Sequence, residues 1–378
     1  MPEIRFPEFR DDLQQSKLSD ISVYKTKRAT DVKSHYISTE NLLQNCMGIV
    51  PYTDETAIDG ISFSINDILL GNIRPYLKKA WLAEFDGVCS TDVLVLHPLK
   101  IEPSYFKYLI CRDKFFTYVM SSAKGSKMPR GDKAFIMDMT ISLPSINEQK
   151  KLASMLTLID TLISKQEKMV DELKLYKRGV LSSLFEQKVS FVKDSNWTTK
   201  SLGDVFTERT ERATGNEELL SVTINDGIQK REELDSKDNS SENKSNYKKV
   251  YVDDIAYNTM RMWQGASGHS PFNGIVSPAY TVIKLNDKDN HSIKFWSFYF
   301  KHIPLIKTFQ KFSQGLTSDT WNLKYPQLAQ IRVSYPSYDE QQKIVSILET
   351  IDTKILAEEK SLENLVLYKK QLLQKMFI

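Results

Sequence analysis

The sequence contains few cysteines and no long apolar run. Its three cysteines, Cys46, Cys89 and Cys111, are far apart and form no CxxC pair. This pattern argues against a disulfide framework or a zinc site and is typical of reduced thiols in a cytoplasmic protein. No stretch approaches the roughly eighteen apolar residues that cross a membrane, and the N-terminal residues include no apolar segment of a secretion signal. We therefore expect neither a membrane protein nor a secreted one.

The motifs of common enzymes are also missing. The five histidines show no HxxxH or other metal-ligand spacing, and no Walker loop occurs. Residues 72–76, Asn-Ile-Arg-Pro-Tyr, resemble the Asn-Pro-Pro-Tyr of adenine methyltransferases only superficially, because the Pro-Pro pair is absent. No glycine-rich loop follows a strand to hold S-adenosylmethionine. The sequence therefore predicts no catalytic residue, no metal ion and no cofactor.

An excess of charge is lacking as well. The net charge of the 378 residues is +3. Residues 1–142 carry 18 basic and 18 acidic side chains, and residues 191–334 carry 19 and 17. Any surface that binds phosphate groups must therefore be local. The length itself predicts two or three globular domains.

What the sequence does contain is an internal repeat. Residues 143–185 return as residues 335–377 without a gap, and 19 of the 43 positions are identical. Each copy begins with a serine followed three residues later by a glutamate (Ser145 with Glu148, Ser337 with Glu340), the pattern of a helix capping box. Chance does not produce so many identities, so the chain has the order domain, helix, domain, helix.

Each copy of the repeat predicts one helix of a coiled coil. Apolar residues alternate at spacings of four and three over about 39 residues, which makes a rod of about 58 Å. Lys177 and Lys369 interrupt the two series at matched steps. Because the second helix must return towards the first domain to bury both apolar seams, we expect an antiparallel pair. Opposing the helix midpoints then predicts two ion pairs, Lys177–Asp352 and Lys369–Asp160; the alternative is that both ammonium groups lie in water at the seam edge.

The segments before each helix predict α+β domains. Short β-rich runs come first, followed by a helix at residues 103–120 in one segment and 295–312 in the other. Residues 230–249 are polar and rich in serine and asparagine, and they predict a long, mobile surface loop. The expected fold is two tandem mixed α/β domains joined by two long helices, which form an antiparallel coiled coil with pseudo-two-fold symmetry.

These motifs resemble those of a known family. Residues 143–160 (LPSINEQKKLASMLTLID) and 335–352 (YPSYDEQQKIVSILETID) are similar to the motif that ends each target-recognition domain in specificity subunits of type I restriction-modification systems. The RFPEF opening at residues 5–9 is similar too, as are the domain starts KLSDI (17–21) and SLGDV (201–205). The resemblance covers essentially the whole chain.

The resemblance implies a function and partners. In that family each of two target-recognition domains reads one half of a split double-stranded DNA site, and the coiled coil sets the gap. Two methyltransferase subunits, which hold S-adenosylmethionine, dock on this scaffold, and restriction and translocase subunits join them. We therefore expect a non-catalytic DNA-recognition subunit; the alternative is a coiled-coil adaptor that binds only protein. The implied parts are recognition domains at 1–144 and 191–336, and conserved helices at 145–190 and 337–378.

In the first domain, the candidate DNA-binding residues lie in two segments. A glycine-containing loop at residues 124–133 carries four cations and one acid, and such side chains bind both phosphates and guanine edges. A second segment, at residues 74–79, places cations beside Tyr76. The alternatives are an ordinary solvated loop and a buried tyrosine flanked by basic side chains that reach water. The candidates are Arg74, Lys78, Lys79, Lys124, Ser126, Lys127, Arg130 and Lys133.

In the second domain, the matching loop at residues 314–322 has hydrogen-bonding side chains in place of cations. This difference is expected if the two domains read different bases. The helix at 295–312 and the residue before it carry four lysines, which suit either the DNA backbone or a plain amphipathic surface. The candidates are Arg261, Gln264, Thr317, Ser318, Trp321, Asn322 and Lys324.

Overall fold

The chain folds into two compact units. The computed structural model describes residues 3–29, 32–33, 35–50, 56–57, 60–191, 196–215, 217–224, 227–234 and 243–377. Unit 1 consists of Met1–Lys168 and Glu359–Ile378, and unit 2 of Met169–Glu358. Each of the two long helices therefore contributes one part to each unit.

Strands and helices mix along unit 1, as the sequence predicts for an α+β domain. The strands are β1 (Gln14–Lys17), β2 (Ser22–Lys25), β3 (Arg28–Ala29), β4 (Val32–Lys33), β5 (His35–Ile37), β6 (Thr56–Ala57), β7 (Gly60–Phe63), β8 (Ile68–Gly71), β9 (Ala80–Leu82), β10 (Gly87–Cys89), β11 (Val93–Pro98) and β12 (Thr140–Leu143). The helices are α1 (Leu18–Ile21), α2 (Pro103–Ile110), α3 (Asp113–Ser121), α4 (Lys133–Met137) and the first long helix, α5 (Ile146–Phe185).

A four-stranded antiparallel sheet in the order β2-β11-β8-β9 is the centre of unit 1. Its strand β8 is buried along its whole length, because both faces of the sheet are covered. Ile68 and Leu70 face a core that includes α2, α3 and the long helices, whereas Leu69 faces a second apolar cluster. That second cluster includes residues of another sheet, in the order β3-β7-β10-β5. Because successive side chains of a strand point to opposite faces of the sheet, β8 contributes residues to both apolar clusters.

Within the described residues, unit 2 has a similar order of elements, with ten strands where unit 1 has twelve. The strands are β13 (Thr198–Ser201), β14 (Phe206–Glu208), β15 (Leu220–Val222), β16 (Ile228–Lys230), β17 (Lys248–Val250), β18 (Ile255–Asn258), β19 (Ser267–His269), β20 (Gly274–Val276), β21 (Tyr280–Leu285) and β22 (Arg332–Tyr335). The helices are α6 (Leu202–Val205), α7 (Ile293–Tyr299), α8 (Ile303–Phe312), α9 (Tyr325–Ala329) and the second long helix, α10 (Tyr338–Met376). Its central sheet, β14-β21-β18-β19, has the same order as the matched strands of unit 1.

The long helices pack along the predicted seams. Every seam position from Leu152 to Leu184 in α5, and from Ile344 to Met376 in α10, is buried or half-buried. In unit 1, Lys369 Nζ lies 2.5 Å from Asp160 Oδ1. In unit 2, Lys177 pairs with Asp352. Both predicted ion pairs are therefore confirmed, and the alternative of ammonium groups in water is wrong.

The ends of the long helices bind the domains through matched phenylalanines. In unit 1, Phe377 stacks on Tyr105 with ring centroids 5.0 Å apart. In unit 2, Phe185, at the equivalent position of the repeat, stacks on Tyr299 at 4.6 Å. Aromatic rings in contact prefer particular relative orientations, and such pairs stabilise a fold beyond the apolar area that they bury. Each helix end is thereby fixed to the domain of its unit.

The starts of the long helices are fixed by two matched glutamines. Gln149 is buried; its Oε1 accepts from the Glu102 N–H at 3.0 Å and its Nε2 donates to the Pro144 carbonyl at 2.9 Å. Gln341 makes the same two bonds with Ser292 and Pro336. A buried side-chain amide whose oxygen and nitrogen both form hydrogen bonds is held in one orientation. The helix starts are thus tied to the preceding strand and to the α2 or α7 N-terminus.

The predicted helices at 103–120 and 295–312 are each two helices, so both predictions are wrong in length. In unit 1 the break lies at residues 111–112, where the buried Arg112 donates from Nε to the Leu109 carbonyl and closes α2. In unit 2 the break lies at residues 300–302, because Pro304 has no N–H for a continuing helix and instead occupies the first turn of α8.

The predicted loop at 230–249 is described only at its ends. Residues 235–242 lie outside the described residues. The ends are not loop, because Lys230 closes β16 and Lys248 opens β17. The prediction of a loop over the full stretch is therefore wrong at both ends.

Candidate nucleic-acid interface

In unit 1 the two predicted segments form one surface, which we call the first loop surface (residues 72–79 and 124–133). The Arg74 N–H donates to the Pro129 carbonyl at 2.8 Å. Arg130 also forms bridges on both sides, to Ile73 and to Lys124. The bridge to Lys124 consists of two N–H to carbonyl bonds of 3.0 Å. The loop is therefore held as a short ladder and not as a free connection.

Most of the predicted cations on this surface already have partners. Lys78 Nζ lies 2.6 Å from Asp113, Arg130 Nη2 lies 2.9 Å from Asp92, and Lys124 Nζ lies 3.6 Å from Asp132. Lys79 Nζ donates to the Thr39 carbonyl at 2.6 Å. Over the ranges that the structure describes, Lys127 and Lys133 are exposed and form no ion pair, and the neutral Ser126 is exposed as well.

Two of the candidates have left-handed backbone. Arg74 and Lys78 flank a short 3-10 turn, and each has a φ of 52°. Such a conformation costs a non-glycine residue of order 1–3 kcal/mol and persists where the surroundings enforce it. Arg74 Nε and the Oδ1 of buried Asn72 have no hydrogen-bond partner within the described part of the chain. The first loop surface thus combines strained backbone with polar atoms that lack a hydrogen-bond partner within the described residues.

Asp132 links the loop to helix α4. Its carboxylate accepts from the N–H groups of Ala134 and Phe135 at the helix start. The Phe135 N–H is the largest influence and lowers the pKa of Asp132, assisted by the Ala134 N–H and by Lys124 against a smaller opposing effect of burial. Asp132 is therefore ionised at neutral pH beside Lys124.

In unit 2 the two predicted segments also meet, forming the second loop surface (residues 259–264 and 314–324). The Leu323 N–H donates to the Thr259 carbonyl at 2.9 Å. Gln314 and Asn322 exchange two backbone bonds of 3.0 and 2.8 Å. The loop needs glycine at its turn, because Gly315 has a φ of +140° and a Cβ there would lie 2.5 Å from a carbonyl oxygen.

An aromatic pair joins the halves of the second loop surface. Trp263 and Trp321 meet edge to face, with ring centroids 5.2 Å apart. Around them Arg261, Thr317, Ser318 and Lys324 are exposed, whereas Gln264 and Asn322 are half-buried. The Oδ1 of Asn322 has no partner in the described ranges. The 314–322 loop carries no cation, as the sequence predicts, and the exposed cations of this surface are Arg261 and Lys324.

Two of the four lysines in and beside the predicted helix at 295–312 bind other groups of unit 2. Lys294 pairs with Glu349 at 2.6 Å. Lys301 donates to the carbonyls of Ile224 and Gly265, both at 2.7 Å. Lys307 and Lys311 are exposed. The amphipathic-surface interpretation therefore accounts for two of the four lysines.

Two residues in or beside these surfaces were not among the candidates named from the sequence. Asp92, the partner of Arg130, is 38 residues away from it and carries no motif. Leu316 lies in the second loop and is fully exposed, and single exposed apolar residues of this kind are common on protein surfaces. Neither residue therefore has a sequence signal that marks it in advance.

No group of three or more histidine, cysteine, aspartate or glutamate side chains is arranged to hold a metal ion among the described residues. No helix within them combines the length and hydropathy needed to cross a membrane.

Comparison with known proteins finds the same family twice along the chain. The sequence model of the family described as "Type I restriction modification DNA specificity domain" matches residues 11–175 and residues 194–366. Over 339 residues the chain is 23% identical to the type I restriction enzyme MjaX specificity subunit of Methanocaldococcus jannaschii, which covers 82% of this chain and 77% of that protein. Over 154 residues it is 29% identical to the MjaVIII specificity subunit of the same organism, covering 41% of this chain and 35% of that protein.

Solved structures share the fold. A chain from a study of complex assembly and conformational transition in the type I R-M system is similar with a TM-score of 0.64 and 15% identity, over 98% of both chains. The S subunit of a type I restriction-modification system from M. genitalium is similar with a TM-score of 0.58 and 15% identity, over 100% of this chain and 99% of that one.

Proposed function

Because the chain belongs to the family of type I restriction-modification DNA specificity domains, of which it contains two, we propose that it is a specificity subunit whose two units each read one half of a split DNA sequence. The first loop surface would contact one half-site and the second loop surface the other. The fifteen candidate residues named from the sequence remain the proposed contacts.

The observation that carries this proposal is a shared backbone frame with different side chains. The Asn72 N–H donates to the Asp92 carbonyl in unit 1, and the Thr259 N–H donates to the Ala279 carbonyl in unit 2. At the matched bridge position, unit 1 has Arg130 and unit 2 has Asn322. Arginine most often pairs with guanine and asparagine with adenine. A frame that is kept while the side chains change suits two half-sites of different sequence.

We infer that α5 and α10 form an antiparallel coiled coil with pseudo-two-fold symmetry, and that this rod sets the gap. The ion pairs support the direction, because Asp160 pairs with Lys369 and Lys177 pairs with Asp352, so numbers fall along α10 as they rise along α5. The matched stacks of Phe377 and Phe185 support the symmetry. The proposed parts stay at 1–144, 145–190, 191–336 and 337–378.

The proposed partners are two methyltransferase subunits, through which restriction and translocase subunits would join. The support is a pair of apolar patches on the long helices at equivalent positions of the repeat. Leu175 and Tyr176 are 62% and 61% exposed, and Leu367 and Tyr368 are 53% and 54% exposed. Neighbouring large apolar side chains left in water mark binding surfaces. Two equivalent patches suit two copies of one partner.

We propose that this chain supplies recognition and that its partners supply the chemistry. The two loop surfaces consist of cations, hydroxyls, amides and aromatic rings, which are the groups that bind phosphates and base edges. A protein-only adaptor would have no use for two such surfaces built on one backbone frame. The family membership favours DNA recognition over that alternative.

The proposal is tested by selection from random DNA. The purified chain, bound to its methyltransferase, is mixed with a library of random duplexes, and bound sequences are read. We expect two short enriched blocks at a fixed gap. The triple variant Lys124→Ala, Lys127→Ala, Arg130→Ala should change one block only, and Lys17→Ala, outside both surfaces, should change neither. A library without enrichment would support the adaptor instead.

A further inference from the structure

Arg130, in the first loop surface, forms an ion pair with Asp92, which lies 38 residues earlier in the chain. The two side chains are 53% and 40% exposed, and their atoms Nη2 and Oδ1 are 2.9 Å apart. The backbone of both residues is fixed: Arg130 by its bridges to Ile73 and Lys124, and Asp92 by the Asn72 N–H that its carbonyl accepts. An exposed arginine with a fixed backbone and a carboxylate partner therefore has fewer side-chain conformations open to it than a free one.

Arg130 still has donors to offer. A guanidinium carries five N–H donors in a planar fork. Within the described part of the chain, the side chain of Arg130 forms one hydrogen bond, from Nη2 to Asp92. Guanine presents two acceptors, O6 and N7, at the spacing of that fork in the major groove. A phosphate needs no such orientation, because any cation within reach binds it.

We propose that Arg130 reads a guanine in the half-site of unit 1, and that Asp92 is a positioning residue that holds the arginine fork for this contact. The inference rests on the proposed function and names one specificity-determining contact within it. The matched positions in unit 2 hold Asn322 and Ala279, so an arginine with an aspartate partner is absent from that position of the second loop surface.

Asp92 has two opposing effects on DNA binding. Its negative charge repels phosphates, so its removal raises affinity for DNA of any sequence. Its hydrogen bond orients Arg130, so its removal lowers discrimination for the guanine. A residue that merely blocks Arg130 in the free protein would show the first effect without the second. The two roles are therefore separable by the ratio of affinities.

The test uses the full chain with its methyltransferase and duplexes carrying the mapped site. Each guanine of the unit 1 half-site is replaced in turn by 7-deazaguanine, which lacks the N7 acceptor. We expect one replacement to weaken binding by the wild type and to have no effect on Arg130→Ala. Against a changed base pair at that position, Arg130→Ala should lose about 5- to 150-fold of discrimination. Arg130→Lys should lose discrimination while keeping its affinity for unrelated DNA.

The same duplexes test the positioning role. Asp92→Ala should lose about two- to fivefold of discrimination at that guanine. Asp92→Asn keeps an acceptor and should retain most of the discrimination, while both variants gain affinity for unrelated DNA. Asp138→Ala is the control, since it removes the same charge from an exposed pair with Lys17, outside the first loop surface. The control should leave discrimination at the guanine unchanged.

Four results would overturn the inference: a half-site of unit 1 without guanine, a 7-deazaguanine effect equal in wild type and Arg130→Ala, loss of Arg130 that weakens all sequences alike, or Asp92→Ala that raises affinity with unchanged discrimination. The proposed function would survive each of them. It fails separately, if the wild type prefers no two-part sequence.

Discussion

Lys369 on α10 and Asp160 on α5 form an ion pair with additional polar partners that the equivalent pair, Lys177 with Asp352, does not show within the described residues. Asp160 also accepts from the Tyr108 hydroxyl at 2.8 Å, and Lys107 Nζ lies 3.4 Å away. In unit 2, Lys177 pairs with Asp352 and lies 5.2 Å from the centre of the Phe298 ring, which has no hydroxyl to donate. The repeat thus keeps the pair and varies its surroundings.

The first prediction is a charge swap. Asp160→Lys alone and Lys369→Asp alone should each lower the free energy of unfolding, because each leaves two like charges facing. The double variant should recover about 0.2–1 kcal/mol relative to the sum of the singles, the usual worth of an accessible pair. Urea unfolding of the four proteins measures this coupling. Strictly additive effects would mean that the pair contributes nothing to the register.

The second prediction is a pH dependence. Burial by itself would raise the pKa of Asp160, but hydrogen bonding and charge from Lys369, with help from Lys107 and Tyr108, lower it below the usual 3.8. A depressed pKa gives stability that is present above the unfolded value and is lost as the pH falls through the folded value. The stability difference between wild type and Asp160→Asn should therefore be constant near pH 6 and shrink below pH 3.8. A difference that does not shrink as the pH falls below 3.8 would contradict the assigned cause.

The third prediction concerns the exposed tyrosines. Tyr176→Glu should reduce the number of bound methyltransferase subunits from two to one, because a carboxylate is costly to bury in an apolar contact. Tyr176→Glu combined with Tyr368→Glu should abolish binding. Light scattering of the purified complex gives the mass. Ser154→Glu, at another exposed position of α5, is the control; a double variant that still binds two subunits would refute the docking surfaces.

The fourth prediction lengthens the rod. Seven residues inserted after Lys168 and seven after Glu358 keep the 3.5-residue seam and leave both ion pairs with their partners. The added length is about 10.5 Å, or about three base pairs at ~3.4 Å each. The gap in the recognised sequence should grow by that amount with both half-motifs unchanged. An unchanged gap, or altered half-motifs, would show that the helices do not set the spacing.

The long helices were predictable because their signal is dense and local. A four-three alternation over about 39 residues, present twice, determines the buried face of each helix, and the matched lysines then determine the register. The breaks at Arg112 and Pro304 were missed because each segment stays apolar on one face across its break. There the capping geometry outweighs the periodicity.

The sequence identified the segments that form the loop surfaces, but not the acidic residues that pair with their cations. Runs of cations identified residues 124–133 and 74–79, and their faint counterparts in the second domain identified the other surface. The acids that bind those cations are distant in the chain: Asp113 is 35 residues from Lys78, and Asp92 is 38 from Arg130. Only the fold brings such residues together, so a single sequence gives no signal for them.

Methylation mapping in cells that carry this chain with its methyltransferase tests the central claim most directly. Modified bases are located across the genome, and their flanking sequences are aligned. If two units on one rod read the DNA, the modified bases fall in one split motif, with two short specified blocks separated by an unspecified gap of fixed length. A continuous motif, a variable gap, or methylation without any common sequence would contradict recognition by two units on one rod.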